Sequence, residues 1–240
     1  MAKLMPTYSE NPQYWWETKG GRYLEERKTE EALDTETLPL YNLARYPEIK
    51  SVLEVGCGFG RLLRPLASFS NLERVGGLDF SSSQFENAQK YLDGFEVTLG
   101  LFDLVADMPI VPLNPYDLVF THGVFTHIPP FQIKKAVANL KQFASKCIVL
   151  IEFELREGST VKEFDGLKYN EIGSYMAAGD TDTWAYDFEP LLDNDIELEK
   201  VAISRNFKNP PFGHTTFICK KKSFYEVARE IDEILKEDII

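Results

Sequence analysis

Cysteine is scarce in this chain. It holds three, Cys57, Cys147 and Cys219, at separations that match no metal-ligand spacing. They sit in strand-like or turn-like surroundings and read as buried, reduced thiols, the pattern of a cytoplasmic protein and not of a disulfide scaffold. Long apolar runs are missing as well. No stretch approaches the ~20 residues that span a bilayer, and Met1 to Pro6 opens no apolar core of signal-peptide length. The third shortage is of positive charge. There are 26 Lys and Arg against 38 Asp and Glu, a formal net charge of −12. A protein that grips nucleic acid presents a basic face, and a local run such as Lys220 to Lys222 reads as a solvated strand end. Composition argues against DNA or RNA and for a small-molecule, peptide or cationic partner. Repeats and low-complexity segments are absent too, and 240 residues suit one large α/β domain.

What is present centres on Ser51 to Arg61. Val52 to Val55 is a short apolar run of buried-strand type. Gly56, Gly58 and Gly60 come next, and then Leu62, Leu63, Leu66 and Phe69, spaced for the inner face of a helix. Strand, glycine turn and helix start together make a nucleotide-binding corner. Glycine lets the backbone turn tightly and keeps side chains out of a ligand's way. The dinucleotide pattern G-x-G-x-x-G needs its last glycine at position 61, where Arg61 stands. The pattern here is E-x-G-x-G-x-G, from Glu54 to Gly60.

That run resembles motif I of the class I S-adenosylmethionine (SAM)-dependent methyltransferases, and the order of the segments downstream of it is similar to that family's. Arg74 to Asp79 reads as a second strand, and Ser81 to Ser83 offer a cap to a helix with an apolar stripe of Phe85, Ala88 and Leu92. A carboxylate at Asp79 can accept both ribose hydroxyls of an adenosine cofactor. Phe95 to Leu101 is a third strand. Tyr116 to Phe120 is a fourth, of the family's D-L-V type, and Thr121 to Pro130 then leaves the sheet. Ile133, Ala136, Val137, Leu140 and Phe143 mark a helix, and Cys147 to Phe153 reads as a parallel strand buried on both faces. The resemblance implies a Rossmann-like methyltransferase fold: a seven-stranded, mostly parallel sheet with helices on both faces and a reversed last strand. It implies SAM as cofactor, bound by Glu54, Gly56, Cys57, Gly58, Gly60, Asp79, Phe80, Asp103, Leu104 and Thr121. Asp103 would accept from the adenine amino group and Leu104 would flank the ring. The reaction implied is in-line methyl transfer to a small-molecule nitrogen or oxygen acceptor.

The flanks divide the single domain further: a helical cap over 1–50, the SAM-binding core over 51–153, an insertion over 154–195, a strand pair over 196–222 and a helix over 223–240. Asn11-Pro12 starts a helix that Gly20-Gly21 is expected to stop. A second helix is expected over Tyr23 to Leu33, and a third from Glu36 towards Arg45, ending before Pro47. Trp15 and Trp16 with Tyr23 either pack on the main domain or form a substrate-binding lid. Glu154 to Glu189 reads as too irregular for core. Its aromatics, Trp184 and Tyr186 among them, either pack down or build a substrate pocket. Ile196 to Asn206 and His214 to Lys222 form an antiparallel pair. Asn209-Pro210-Pro211-Phe212 matches the N-P-P-[YF] signature of amino-methyltransferases, but it stands far from the fourth strand and reads as a proline turn.

A nitrogen acceptor need only be bound neutral, whereas an oxygen acceptor usually needs its proton removed. His122 and His127 are the candidate bases, and His214 reads as structural. No metal site is expected. Two alternatives stay open: a SAM-binding partner subunit without catalysis, and a nicotinamide-dependent oxidoreductase, which Arg61 disfavours. The sequence leaves the acceptor and the oligomeric state undetermined.

Overall fold

A computed structural model describes residues 12–30, 32–34, 36–107, 114–154, 175–177, 183–186, 188, 191–192, 197–205 and 214–221. In chain order the elements are α1 (Pro12–Arg27), α2 (Leu38–Ala44), β1 (Ser51–Val55), α3 (Leu63–Leu66), β2 (Arg74–Asp79), α4 (Ser82–Tyr91), β3 (Val97–Leu101), β4 (Tyr116–His122), α5 (Ile133–Phe143) and β5 (Ala144–Phe153). They continue with β6 (Tyr175–Ala177), β7 (Thr183–Ala185), β8 (Leu198–Arg205) and β9 (His214–Lys221). A 3₁₀ turn, Phe125–His127, comes after β4.

Seven strands form one sheet in the order β3-β2-β1-β4-β5-β9-β8. β1 through β5 pair in parallel, β9 runs against both β5 and β8, and β6 and β7 make a separate antiparallel pair. The sheet expected from the sequence, with its reversed last strand, is the sheet observed. The chain steps outward from β1 to β3, then returns to β4 on the other side of β1. That reversal opens a crevice beyond the carboxyl ends of β1 and β4, where ligands bind in sheets of this kind.

Strand periodicity builds the two cores. Leu53 and Val119 face the side covered by α5, through Ile133, Ala136 and Leu140. Val52 and Phe120 face α2, α3 and α4, through Leu40, Leu63, Leu66 and Ala88. All of β1 is buried, as a central parallel strand requires.

Four expectations are corrected. α1 runs through Gly20-Gly21 to Arg27 without a break, so the second helix expected from Tyr23 is largely its continuation. Two glycines cost a helix about 1 kcal/mol each. Docking on α4 offsets this: Glu17 accepts from the Ser82 N–H and hydroxyl, both at 2.8 Å, and Ser83 Oγ donates to the Trp16 carbonyl at 2.9 Å. α3 is only one turn long, yet Leu62, Leu63 and Leu66 are buried as their spacing implies. β4 does not end at Phe120, because Thr121 and His122 still pair with Leu150 and Ile151. The stretch after Glu154 does contribute core. Tyr186 and Phe188 are fully buried and Leu192 nearly so, packed with Phe125 and Phe217. Tyr186 joins Glu154 through a single β-bridge, too short a strand to leave a periodic trace. The Asn209–Phe212 turn and the closing helix over 223–240 lie outside the described residues.

Candidate functional site

The glycine loop is strapped to β2. The N–H groups of Gly56 and Cys57 both donate to the Leu78 carbonyl, at 2.7 and 3.0 Å. Gly58 donates to Asp79 Oδ2 at 2.8 Å and Ser81 to Oδ1 at 3.0 Å. Gly56 and Gly58 both adopt left-handed φ, 77° and 54°. A Cβ on Gly56 would strike Val124, whereas one on Gly58 would meet nothing closer than Tyr23 Cε1 at 4.0 Å. Gly58 is therefore kept bare by its backbone conformation and by the cavity it faces.

Burial sets the electrostatics. It pushes Asp79 up to about 6, against the hydrogen bonds from Ser81, Gly58 and Phe80 N–H groups that favour the charge. Burial raises Glu54 well above the usual carboxylate range, with Arg61 opposing and Asp79 adding. His127 is pulled down to about 3 by burial, so its imidazole is neutral.

The turn after β4 is held from β5. Glu152, fully buried, accepts from the N–H groups of Val124 and Phe125 at 3.1 and 3.0 Å. This caps the 3₁₀ turn that carries His127. α1 closes the other side. The Trp16 ring stands 5.5 Å from His127 and 5.0 Å from Tyr23, and Tyr23 stands 5.8 Å from Phe59, all edge-on.

Between these parts lies a cavity of about 690 Å³. Of the residues singled out by sequence, Glu54, Gly56, Cys57, Gly58, Asp79, Phe80, Asp103 and Leu104 line it, as do His122, His127, Trp16 and Tyr23. Gly60 and Thr121 do not. A Cβ on Gly60 would meet Leu92 Cδ1 at 2.5 Å, so that glycine serves packing against α4's end. Thr121 is buried in the sheet. Tyr186 is also off the wall, and the substrate contact expected of it is replaced by a core role: its hydroxyl donates to the Ile128 carbonyl. The side chains of Trp15, Trp184 and His214 lie outside the described residues. Sequence reasoning missed Arg27, Gln84, Thr126 and Phe131 as wall residues, and took Arg61 only as a missing glycine. Gln84 could have been found from its place just after the Ser81 cap, on the buried side of α4. Among the described residues no His, Cys, Asp and Glu group could hold a metal ion, and no helix is long and apolar enough to cross a membrane.

Residues 52–146 match the family model described as a methyltransferase domain. Among solved structures, magnesium protoporphyrin IX methyltransferase (ChlM) from Synechocystis PCC 6803 with bound SAM aligns at TM-score 0.60 and 13% identity, over 92% of this chain and 100% of that one. The DhpI–SAH (S-adenosylhomocysteine) complex aligns at 0.56 and 16%, over 89% and 96%. Haemonchus contortus phosphoethanolamine N-methyltransferase 1, with phosphoethanolamine and S-adenosylhomocysteine, aligns at 0.58 and 16%, over 96% of this chain and 56% of that one. No curated protein matches the sequence. At such identities the structures speak for the fold alone, and the domain match covers residues 52–146. Residues 52–146 are thus similar to a methyltransferase domain, and the sheet around them has the class I, Rossmann-like methyltransferase fold. The neighbours of this fold were crystallised with SAM or S-adenosylhomocysteine bound.

Proposed function

We propose that this protein methylates a nitrogen or oxygen atom of a small molecule inside the cavity between the glycine loop, the β4 turn and α1. The observation that carries this reading is the convergence, on one cavity, of the bare Gly58 backbone, the buried Asp79 carboxylate and two histidines.

The residues present fit the cofactor. The cavity wall holds buried polar atoms with no hydrogen-bond partner in the protein: Glu54 Oε2, both amide atoms of Gln84 and Thr126 Oγ1. Buried polar groups are normally paired, so a polar ligand is the natural complement. In this reading Asp79 takes the ribose hydroxyls, Asp103 the adenine amino group, and Phe80 and Leu104 the ring's faces. Glu54 and the Gly56 to Gly58 backbone border the methionine portion. When bound, the cofactor supplies an electrophilic methyl group on a sulfonium sulfur.

The chain's own task is then orientation, exclusion of water and management of one proton. Glu152 fixes the turn that carries His127. Burial opposes proton uptake by His127, so it serves as a neutral hydrogen-bonding wall. His122, the last residue of β4, is the better placed base for an oxygen acceptor. Trp16 and Tyr23 form the lid, and Trp15 and Trp184 belong to the same proposal by sequence position.

Calorimetric titration with S-adenosylhomocysteine, then incubation of methyl-labelled SAM with fractionated metabolites, tests the reading. Saturable binding and label in a small molecule are expected. Label found only on protein or nucleic acid would contradict it.

A further inference from the structure

Asp103 and Leu104 reach the cavity wall from the loop that follows β3. The start of this loop is tied to β2, where the Phe102 N–H donates to the Asp79 carbonyl at 2.9 Å. Within it, Asp103 Oδ1 accepts from the Val105 N–H at 3.0 Å, and the Ala106 N–H donates to the Asp103 carbonyl, also at 3.0 Å. An aspartate that accepts from the N–H two residues on makes a tight turn. One carboxylate oxygen closes the turn, and the other is left for a partner outside it.

The remaining support comes from α5. Lys135, Asn139 and Phe143 recur every fourth residue, so they stand on one stripe of that helix. Phe143 packs edge-on against Phe102, with ring centres 5.1 Å apart. Lys135 pairs with Asp107 at 2.6 Å, but both side chains are exposed and such a pair contributes little. Asn139 makes the strong contact. The other buried residues of α5, Ile133, Ala136, Val137, Leu140 and Phe143, are apolar. A buried amide among them is costly unless it is hydrogen-bonded. Asn139 Nδ2 donates to the Leu104 carbonyl at 2.8 Å and to the Ala106 carbonyl at 2.9 Å, 35 and 33 residues back along the chain. The peptide unit between Leu104 and Val105 is therefore gripped from both ends. Asp103 Oδ1 takes its N–H and Asn139 holds its C=O.

We propose that Asn139 is a positioning residue for recognition of the cofactor's purine. Through the peptide that it shares with Asp103, it fixes the direction of the Asp103 carboxylate and the place of the Leu104 side chain. A carboxylate only accepts hydrogen bonds. Held in place, Asp103 admits a purine that presents an amino group to it and rejects one that presents an oxo group. This rests on the adenine contact given to Asp103 above, and it adds the residue that makes that contact selective.

The test is calorimetry with S-adenosylhomocysteine and with S-inosylhomocysteine, its 6-oxo analogue. The proteins compared are wild type, Asn139→Leu, Asn139→Ala, Asp103→Ala and the double variant Asp103→Ala with Asn139→Leu, each checked by thermal melting. Asn139→Ala removes the same donors with less bulk, and it carries the comparison if Asn139→Leu does not fold. Wild type should prefer the amino purine at least about tenfold, the worth of one charged hydrogen bond. Asn139→Leu and Asn139→Ala should each reduce that preference to about threefold or less. On top of Asp103→Ala, Asn139→Leu should change the preference by less than about twofold, because two residues that act through one contact are not additive. A lower melting temperature with the wild-type preference intact would make Asn139 a structural residue only, and overturns the proposal. So does an additive loss in the double variant, which would place the action of Asn139 elsewhere than at Asp103. If Asp103→Ala keeps the wild-type preference, or wild type binds neither compound, the adenine contact itself fails, and the proposal with it.

Discussion

Gly58 donates its backbone N–H to the Asp79 carboxylate at 2.8 Å. The bond ties the middle of the glycine loop to the last residue of β2, so the two features most legible in the sequence form one unit. Hydroxyls that donate to Asp79 favour its charged form, while burial holds the free carboxyl up to about 6. S-Adenosylhomocysteine affinity should therefore rise between about pH 5 and 7 in wild type and stay flat in Asp79→Asn. Asp79→Ala should weaken binding roughly 10- to 100-fold, the worth of one or two charged hydrogen bonds. Calorimetry across that pH range checks both expectations.

The same group makes a stability prediction of known sign. A pKa raised above the ordinary 3.8 means that the folded protein holds this proton more tightly than the unfolded chain does. The stabilisation is complete below about pH 4 and is lost as pH rises through about 6. Without ligand, wild type should lose stability relative to Asp79→Asn over that window, by roughly 1–3 kcal/mol. Denaturant melts at pH 4 and pH 7 measure it, and a constant difference between the two proteins would be evidence against a buried, proton-holding Asp79.

The glycines should separate by function. Gly58→Ala should still fold, at a cost of about 1–2 kcal/mol for a side chain in the left-handed region, and lose cofactor binding, because its Cβ enters the cavity. Gly60→Ala should melt earlier while keeping more of its affinity, because its Cβ meets Leu92. Melting and calorimetry on both variants would show the split, and identical profiles would refute it.

Glu152 should matter more than its distance in sequence from His127 suggests. Glu152→Ala strands two N–H groups in a fully buried place, at about 1–3 kcal/mol for each orphaned donor. Glu152→Gln keeps one acceptor oxygen and should be milder. Hydrogen exchange at the Phe125 and His127 amides should speed up in Glu152→Ala. Exchange at wild-type rates would mean that the turn holds itself.

α1 is predicted to act as a latch. Glu17 is held by Ser82 and Ser83. Slight burial raises its pKa, and the Ser82 and Ser83 hydrogen bonds outweigh this and lower it. A lowered pKa stabilises the docked helix above the ordinary carboxylate range and stops doing so as pH falls below about 4.5. Glu17→Ala should speed exchange over residues 16–27 at neutral pH, and bound S-adenosylhomocysteine should slow it. Equal exchange with and without ligand would remove the lid.

Local patterns carried the sheet and the cofactor side. Val52 to Gly60 declared a strand and a turn, and Asp79 sat where a strand had to end. The features that stayed hidden depended on contacts between distant segments. Gly20-Gly21 reads as a helix stop, and docking contacts, among them the seat on Ser82 and Ser83, override it. Tyr186 reads as a pocket aromatic, because one β-bridge to Glu154 leaves no alternation to detect. Arg27 and Arg61 are ordinary cations in the sequence, and α1 folding across the glycine loop brings them to one cavity.

The central claim is methyl transfer from SAM to a small molecule at this cavity. The most direct measurement is the label that wild type and Asp79→Ala each move from methyl-labelled SAM into small molecules of a metabolite extract. Transfer by wild type into a small molecule, reduced at least about tenfold in the variant at subsaturating SAM, is the predicted result. No transfer above spontaneous hydrolysis, or equal transfer by the two proteins, would contradict it.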